Sequence, residues 1–318
     1  MDWLSIAGGL IVLTIGAEIL IRGSTALARQ MGVSDLLIGL TLVGFGTSTP
    51  ELVSSIQAAI IGSPGVAIGN VVGSNIANIL LILGLSALIA PFAVEKKAFL
   101  RDGAVVLIAT LAAIGVSMTG EFSRAAGFCF VTALAAYILY AFYSERRHPD
   151  SPKAEQHAAA GAEAPAGPKS PFLDILMAVG GLILLVVGAK FLVTGAISVA
   201  SALGVSETII GLTVVAIGTS LPELVTSIMA ALRGKSALAL GNVVGSNIYN
   251  LFGILGVTAA IHPVAAPAEI VAFDNWVMLA ATLVMILFSV TRSRLNRLEG
   301  AVMVAGYAAY LTWLVINA

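Results

Sequence analysis

Nothing constrains this chain more than the length and frequency of its apolar runs. A helix crosses the hydrocarbon layer of a bilayer with about 20 mostly apolar residues, and about ten such segments can be drawn through the sequence. They fall near residues 4–23, 34–61, 66–90, 103–119, 125–143, 172–194, 206–232, 238–261, 275–291 and 298–316. With 58% apolar residues, 10% charged residues and a mean hydropathy of +1.02, the chain lies far outside ordinary soluble domains. The expected fold class is an all-α membrane protein of ten transmembrane helices.

The sixteen Lys and Arg residues set an orientation. With the N-terminus outside, the cytoplasmic loops and helix ends hold Arg22, Arg29, Lys96, Lys97, Arg101, Arg146, Arg147, Lys153, Lys169, Arg233, Lys235, Arg292, Arg294 and Arg297. Only Arg124 and Lys190 remain for the other side. This positive-inside bias predicts a multi-pass protein of the cell (plasma or inner) membrane with both termini outside. The first segment has no basic n-region and no A-x-A-type site, so it reads as a retained span and not as a cleaved signal. The formal net charge of −1 says nothing about partners; the partners expected are the bilayer and small ions, with no nucleic acid, and a bundle of this kind can work as a monomer. A lone Cys129 allows neither a disulfide framework nor a thiolate metal site. His148, His157 and His262 fall in the linker or at a helix end and read as solvated or interfacial.

The chain is duplicated. At a fixed offset of 172 the halves match without a gap from about Gly16 to Asn78. Residues 46–56 agree with 218–228 at nine of eleven positions, and GNVVGSNIAN (69–78) agrees with GNVVGSNIYN (241–250) at nine of ten. Each half, 1–143 and 172–318, holds five expected spans, with the repeated cores at about 34–90 and 206–261. Five is odd, so the second copy must enter the membrane from the opposite face, and the axis relating the copies lies in the membrane plane. Residues 144–171, with five prolines and mixed charge, read as a flexible cytoplasmic linker, too short for a folded regulatory module.

Both copies place a helix breaker beside an acid deep in an apolar run: GFGTSTPEL at 44–52 and GTSLPEL at 218–224. Proline has no N–H and crowds the carbonyl four residues earlier, so Pro50 is expected to free the carbonyl of Gly46, and Pro222 that of Gly218. A bare carbonyl in hydrocarbon is costly unless it lines a polar cavity or meets a cation. Thr47, Ser48, Thr219 and Ser220 add oxygens at the same level. An acid at a helix centre costs roughly 3 kcal/mol on insertion scales, so Glu51 and Glu223, both near mid-depth, are read as functional. Two carboxylates converging from opposite sides carry −2, the complement of one divalent ion.

The GNVVGSN motif adds Asn70, Ser74, Asn75 and Asn78, mirrored by Asn242, Ser246, Asn247 and Asn250. Ser74 and Asn78, four apart, share a helix face. The whole inventory is oxygen with no soft ligand, which suits calcium. A plainer reading stands beside this one. Gly69, Gly73, Gly241 and Gly245 form G-x-x-x-G packing motifs, and the amides at 70, 75, 242 and 247 serve equally as interhelical glue. Glu18 and its counterpart Lys190 are expected to snorkel to opposite interfaces. Asp35 and Glu207 each follow a serine at a helix start and read as capping residues. Trp3, Trp276 and Trp313 read as belt residues.

The paired GTS-x-PEL and GNVVGSN-x-x-N motifs, in which the last asparagine comes 27 residues after each glutamate, closely resemble the alpha repeats of the cation/calcium exchanger superfamily. Within it the chain looks like a microbial sodium/calcium antiporter. The resemblance implies that Glu51 and Glu223 ligate calcium and also sodium, with backbone carbonyls from Thr47, Thr219, Gly44 and Ala216. It further implies side-chain oxygens from Ser48, Ser220, Ser74 and Ser246, mainly for flanking sodium sites, with Asn78 at the centre. It also implies that the first and sixth spans slide across a fixed core. Asn250 is a departure, since some microbial relatives carry aspartate there, and it leaves the number of sodium sites open.

The expected function is therefore antiport of Ca²⁺ against Na⁺ by alternating access through one shared site, with no enzymatic chemistry and no cofactor beyond the transported ions. Ca²⁺/H⁺ antiport with the same glutamates as proton carriers is the nearest alternative, although its members typically read G-N-A-x-E at the first motif. A cation channel would need a pore-lining ring, and an intramembrane hydrolase a G-x-G-D-type setting; neither occurs in the sequence.

Overall fold

The computed structural model describes residues 2–146, 171–202, 216–291 and 294–317. The first span is a single long helix, α1 (Asp2–Met31). The second is broken: α2 (Asp35–Ile38) widens into a π-helical stretch at Gly39–Val43, continues as α3 (Gly44–Thr47) and turns by 45° into α4 (Thr49–Ile60). The third runs from α5 (Pro64–Ile76) through a π-helical stretch at Ala77–Leu83 into α6 (Gly84–Ile89). Helices α7 (Lys96–Ser117) and α8 (Arg124–Arg146) complete the first half.

The second half repeats this order. It comprises α9 (Pro171–Ala202), the broken pair α10 (Ala216–Thr219) and α11 (Leu221–Leu232), and α12 (Ser236–Ile248) leading through π-helical Tyr249–Ile254 into α13 (Leu255–Ile261). Helices α14 (Asn275–Thr291), entered through π-helical Ile270–Asp274, and α15 (Arg297–Asn317) close it.

Among the described residues eight helices are long and apolar enough to cross a membrane, nine with the bent pair taken as one span. Of the expected span at 206–232, α10 and the 12-residue α11 are described, and its start, with Glu207, lies outside the described residues. Residues 147–170, most of the expected linker together with His148 and His157, also lie outside them; Ser144–Arg146 are helical.

Helices α1 and α9 pack backbone to backbone along glycines seven residues apart. A Cβ on Gly9 would stand 2.6 Å from the Leu192 nitrogen, one on Gly16 2.9 Å from that of Leu185, and one on Gly23 2.6 Å from that of Ala178. The contacts descend along α9 as they climb α1, so the two helices are antiparallel. Small residues permit this approach where lipid offers no hydrophobic drive for association.

Two short strand pairs join the halves. β1 (Phe92–Ala93) pairs with β4 (Arg294–Leu295), and β2 (Glu121–Phe122) pairs with β3 (Val264–Ala265), both antiparallel. Under the offset of 172, β1 corresponds to β3, and β2 falls one residue short of β4. The hydroxyls of Thr110 and Thr282, also 172 apart, lie 3.4 Å from one another. Thr110 thus meets its own counterpart in the other half.

The most buried spans are α5–α6 and α12–α13, while the outer faces of α1 and α9 present Leu4, Leu10, Ile11, Leu176 and Ile183. Of the peripheral charges, Lys190 is exposed. Glu18 is paired instead: it accepts from Arg22 at 2.7 Å and forms an ion pair with Arg233 at 2.8 Å. Ser34 caps α2 through the Leu37 nitrogen, and Asp35 also meets Lys235 at 3.3 Å. Trp3, Trp276 and Trp313 lie exposed at helix ends, and His262 follows α13.

Candidate ion-binding site

The two proline breaks give the site its geometry. Pro50 and Pro222 occupy the first turns of α4 and α11, where a missing N–H costs nothing and the ring ends continuity with the preceding helix. The residue at each junction takes up nearly the same backbone: Ser48 at φ −84°, ψ 10° and Ser220 at φ −90°, ψ 9°. Each break turns the glutamate that follows inward. Glu51 and Glu223 are both 1% exposed.

The two half-sites interlock. Ser48 Oγ donates to Glu223 Oε1 at 2.8 Å, and Ser220 Oγ donates to Glu51 Oε1 at 3.4 Å. Each serine thus serves the carboxylate of the other repeat. Ser246 Oγ donates to the carbonyl of Gly44 at 3.2 Å, and Thr47 Oγ1 donates to Asn242 Oδ1 at 3.2 Å and to the Val43 carbonyl at 3.0 Å.

Behind the glutamates, Asn70 Nδ2 donates to the Glu51 carbonyl at 3.1 Å and to Ser55 Oγ at 2.9 Å. Asn242 does the same for the Glu223 carbonyl at 3.3 Å and Ser227 Oγ at 2.9 Å. These amides are the interhelical glue of the plainer reading. Asn75 and Asn247 instead donate back to Val71 and Val243 of their own helices, both at 2.7 Å.

Several polar atoms around the glutamates are sealed from solvent yet lack a hydrogen-bond partner among the described residues: Glu51 Oε2, Glu223 Oε2, Asn78 Oδ1, and both Oδ1 and Nδ2 of Asn250. Such groups cost about 1–3 kcal/mol each when left unpaired, more when charged. Asn78 and Asn250 sit at matching places in the π-helical stretches, a deviation from α-helix common where side chains are aimed at a site. Ser74 is buried, Thr219 half-buried, and Ala216 opens α10 at the position matching Gly44.

The glycines of the second repeat's motif pack as expected: a Cβ on Gly241 would lie 2.4 Å from the Leu36 carbonyl oxygen and one on Gly245 2.2 Å from that of Leu40. No three His, Cys, Asp or Glu side chains converge among the described residues. A cation here would be met by two acids and neutral oxygens.

The sodium/calcium exchanger protein family matches residues 1–143 and 173–316. The chain belongs to this family. It is 34% identical over 344 residues to the sodium/calcium exchanger MaX1 of Methanosarcina acetivorans, covering 99% of this chain and 98% of that one. It is 34% identical over 311 residues to the inner membrane protein YrbG of Escherichia coli, covering 96% and 94%. Its fold superposes on a solved structure of the sodium-calcium exchanger NCX_Mj, soaked with Na⁺ and Ca²⁺, at a TM-score of 0.81 and 32% identity, covering 98% and 97%.

Membership of the exchanger family, with the apolar helices described above, makes this a multi-pass membrane protein of a cation-exchange family. Reading the sequence alone missed Ser55 and Ser227, which had no signal beyond their place one turn after each glutamate. It also missed a stacked aromatic pair, Phe45 with Tyr249. Its signal was present: Tyr249 is the one mismatch within the repeated GNVVGSNI-x-N motif.

Proposed function

We propose that this exchanger-family protein is a secondary active antiporter that exchanges Ca²⁺ for Na⁺ by alternating access, both ions competing for the oxygens between Glu51 and Glu223. One observation carries the reading: the second oxygens of both glutamates are buried and unpartnered, as are the carbonyl oxygens of Asn78 and Asn250 on the π-helical stretches packed against α11 and α4. Two ionised acids so placed are tolerated only with positive charge between them. Ca²⁺ takes six to eight oxygens in flexible geometry, and Thr47, Ser48, Ser74, Asn78, Gly44 and their counterparts Thr219, Ser220, Ser246, Asn250 and Ala216 supply neutral ones.

Because Ca²⁺ and Na⁺ use the same carboxylates, occupancy by one excludes the other, and exchange follows instead of co-transport. An empty site leaves charge buried in a low-dielectric setting, so the loaded states cross between faces more readily than the empty one. The architecture proposed is ten spans in two inverted five-helix repeats, 1–143 and 172–318. Both termini face outward, the linker faces the cytoplasm, and α1 and α9 move against the rest; a monomer suffices.

Sealed vesicles loaded with Ca²⁺ test this. Efflux should follow an inward Na⁺ gradient and vanish without Na⁺. Efflux driven by a pH gradient in the absence of Na⁺ would establish Ca²⁺/H⁺ exchange in its place, and efflux with no counter-ion requirement would establish a channel.

A further inference from the structure

The two half-sites are chemically alike but not mechanically alike. On one flank, α3 and α12 meet at the Gly44 carbonyl and Ser246 Oγ, 3.2 Å apart. A Cβ on Gly44 would lie 3.0 Å from the Ser246 nitrogen, so the two backbones are in contact there. One residue beyond Gly44, and three beyond Ser246, α3 meets the π-helical continuation of α12 through Phe45 and Tyr249. Their rings stack with centroids 4.5 Å apart and planes inclined at 25°. The tyrosine ring rests on bare backbone: a Cβ on Gly253 would stand 2.7 Å from its Cδ2. Tyr249 directly precedes Asn250, whose amide no hydrogen bond fixes among the described residues.

The offset of 172 assigns the matching positions to Ile217 and Ala77. Isoleucine and alanine cannot stack as rings, so the matching flank lacks this contact by composition.

We propose that Phe45 and Tyr249 are positioning residues that brace one flank of the site, setting the spacing of the Gly44 carbonyl, Ser246 hydroxyl and Asn250 amide, and that this brace tunes Na⁺ binding more than Ca²⁺ binding. The inference rests on the Na⁺/Ca²⁺ antiport reading and deepens it. The central charge comes from Glu51 and Glu223, which hang on α4 and α11 and are not joined by the stack. The flank offers only neutral dipoles. A monovalent ion there gains little from any one oxygen and depends on all of them standing at the right distance. A divalent ion at the centre is held chiefly by the two carboxylates, so loosening α3 against α12 costs the flank first.

The test is Tyr249→Ala, which places in the second repeat the residue the first repeat already has. In Ca²⁺-loaded vesicles the Na⁺ concentration for half-maximal efflux should rise about two- to tenfold, the range expected for losing one aromatic pair. Half-saturating Ca²⁺ should shift less than twofold and the maximal rate should be retained. Tyr249→Phe should restore the wild-type Na⁺ dependence. Phe45→Ile should reproduce the Tyr249→Ala shift, and the double variant should add nothing further, because the two residues act through one contact. If Tyr249→Ala does not reach the membrane, Phe45→Ile carries the same expectation.

An unchanged Na⁺ dependence, equal shifts for both ions, or failure of Tyr249→Phe to restore it would each overturn the brace. Absence of Na⁺-driven efflux in the unmodified protein would instead overturn the antiport reading.

Discussion

Glu51 and Glu223 are each bonded through one oxygen to a serine of the opposite repeat, while the other oxygen is buried without a partner. Glu51→Gln or Glu223→Gln keeps the shape and removes one of the two charges, so Ca²⁺ exchange should fall to background while the protein still inserts; flux per unit of purified protein in vesicles checks this. Asn70 and Asn242 stand one layer further out and hold the backbone carbonyl of each glutamate. Asn70→Ala or Asn242→Ala should therefore weaken Ca²⁺ about 10- to 100-fold, the usual loss when a group orienting a ligand is removed, with folding kept. Ca²⁺ titration of flux would read it, and unchanged affinity would show that these amides only glue helices together. The glutamates were legible in the sequence because an acid in an apolar run is costly and the duplication marks each one twice. The division among the amides was not. Asn70 and Asn75 belong to one motif, but five residues of helical rotation separate their surroundings, and only packing shows that one reaches the next helix while the other bonds its own.

The helix breaks show the same limit among elements. Proline announced a disruption in both copies, and the first bend falls at Ser48, two residues ahead of Pro50, because the ring excludes the preceding turn rather than its own. The π-helical stretches carry no comparable signal: widening one turn hardly alters the periodicity of a uniformly apolar segment. Helix α1 outruns its expected span by eight residues at the C-terminal end, through Ser24–Met31, because hydropathy marks where lipid ends and not where backbone hydrogen bonding ends. The seam between α1 and α9 is sensitive to added volume along its whole length. A single methyl at Gly16 or Gly181 would meet backbone nitrogen at 2.9 or 2.5 Å. Gly16→Ala and Gly181→Ala should each cost about 1–3 kcal/mol, the usual penalty of overpacking, read as a lowered melting temperature in detergent. Gly8→Ala, where a Cβ meets nothing within 4 Å, should leave the melting temperature unchanged.

For the molecule as a whole, the duplication settles which parts correspond but not how the halves are held. Between them run the α1–α9 seam, the contact of Thr110 with Thr282, two strand pairs and the crossed serine–glutamate bonds. The two strand pairs involve separate loops, 92–93 with 294–295 and 121–122 with 264–265, so the halves are clipped at two places apart from the site. None of these ties uses residues 151–167. Cohesion of the halves is then expected from this packed surface, and the linker reading of 144–171 predicts that the segment serves to keep them on one chain, which raises their effective concentration. Replacing Ser151–Gly167 with a Gly/Ser sequence of equal length should leave Na⁺-driven Ca²⁺ flux and the melting temperature unchanged. Shortening the same segment should spare both until the tether, at no more than about 3.6 Å per residue, can no longer reach from Arg146 to Pro171. Loss of flux in the equal-length replacement, with insertion and melting temperature retained, would show that the native sequence of this segment itself takes part in the transport cycle.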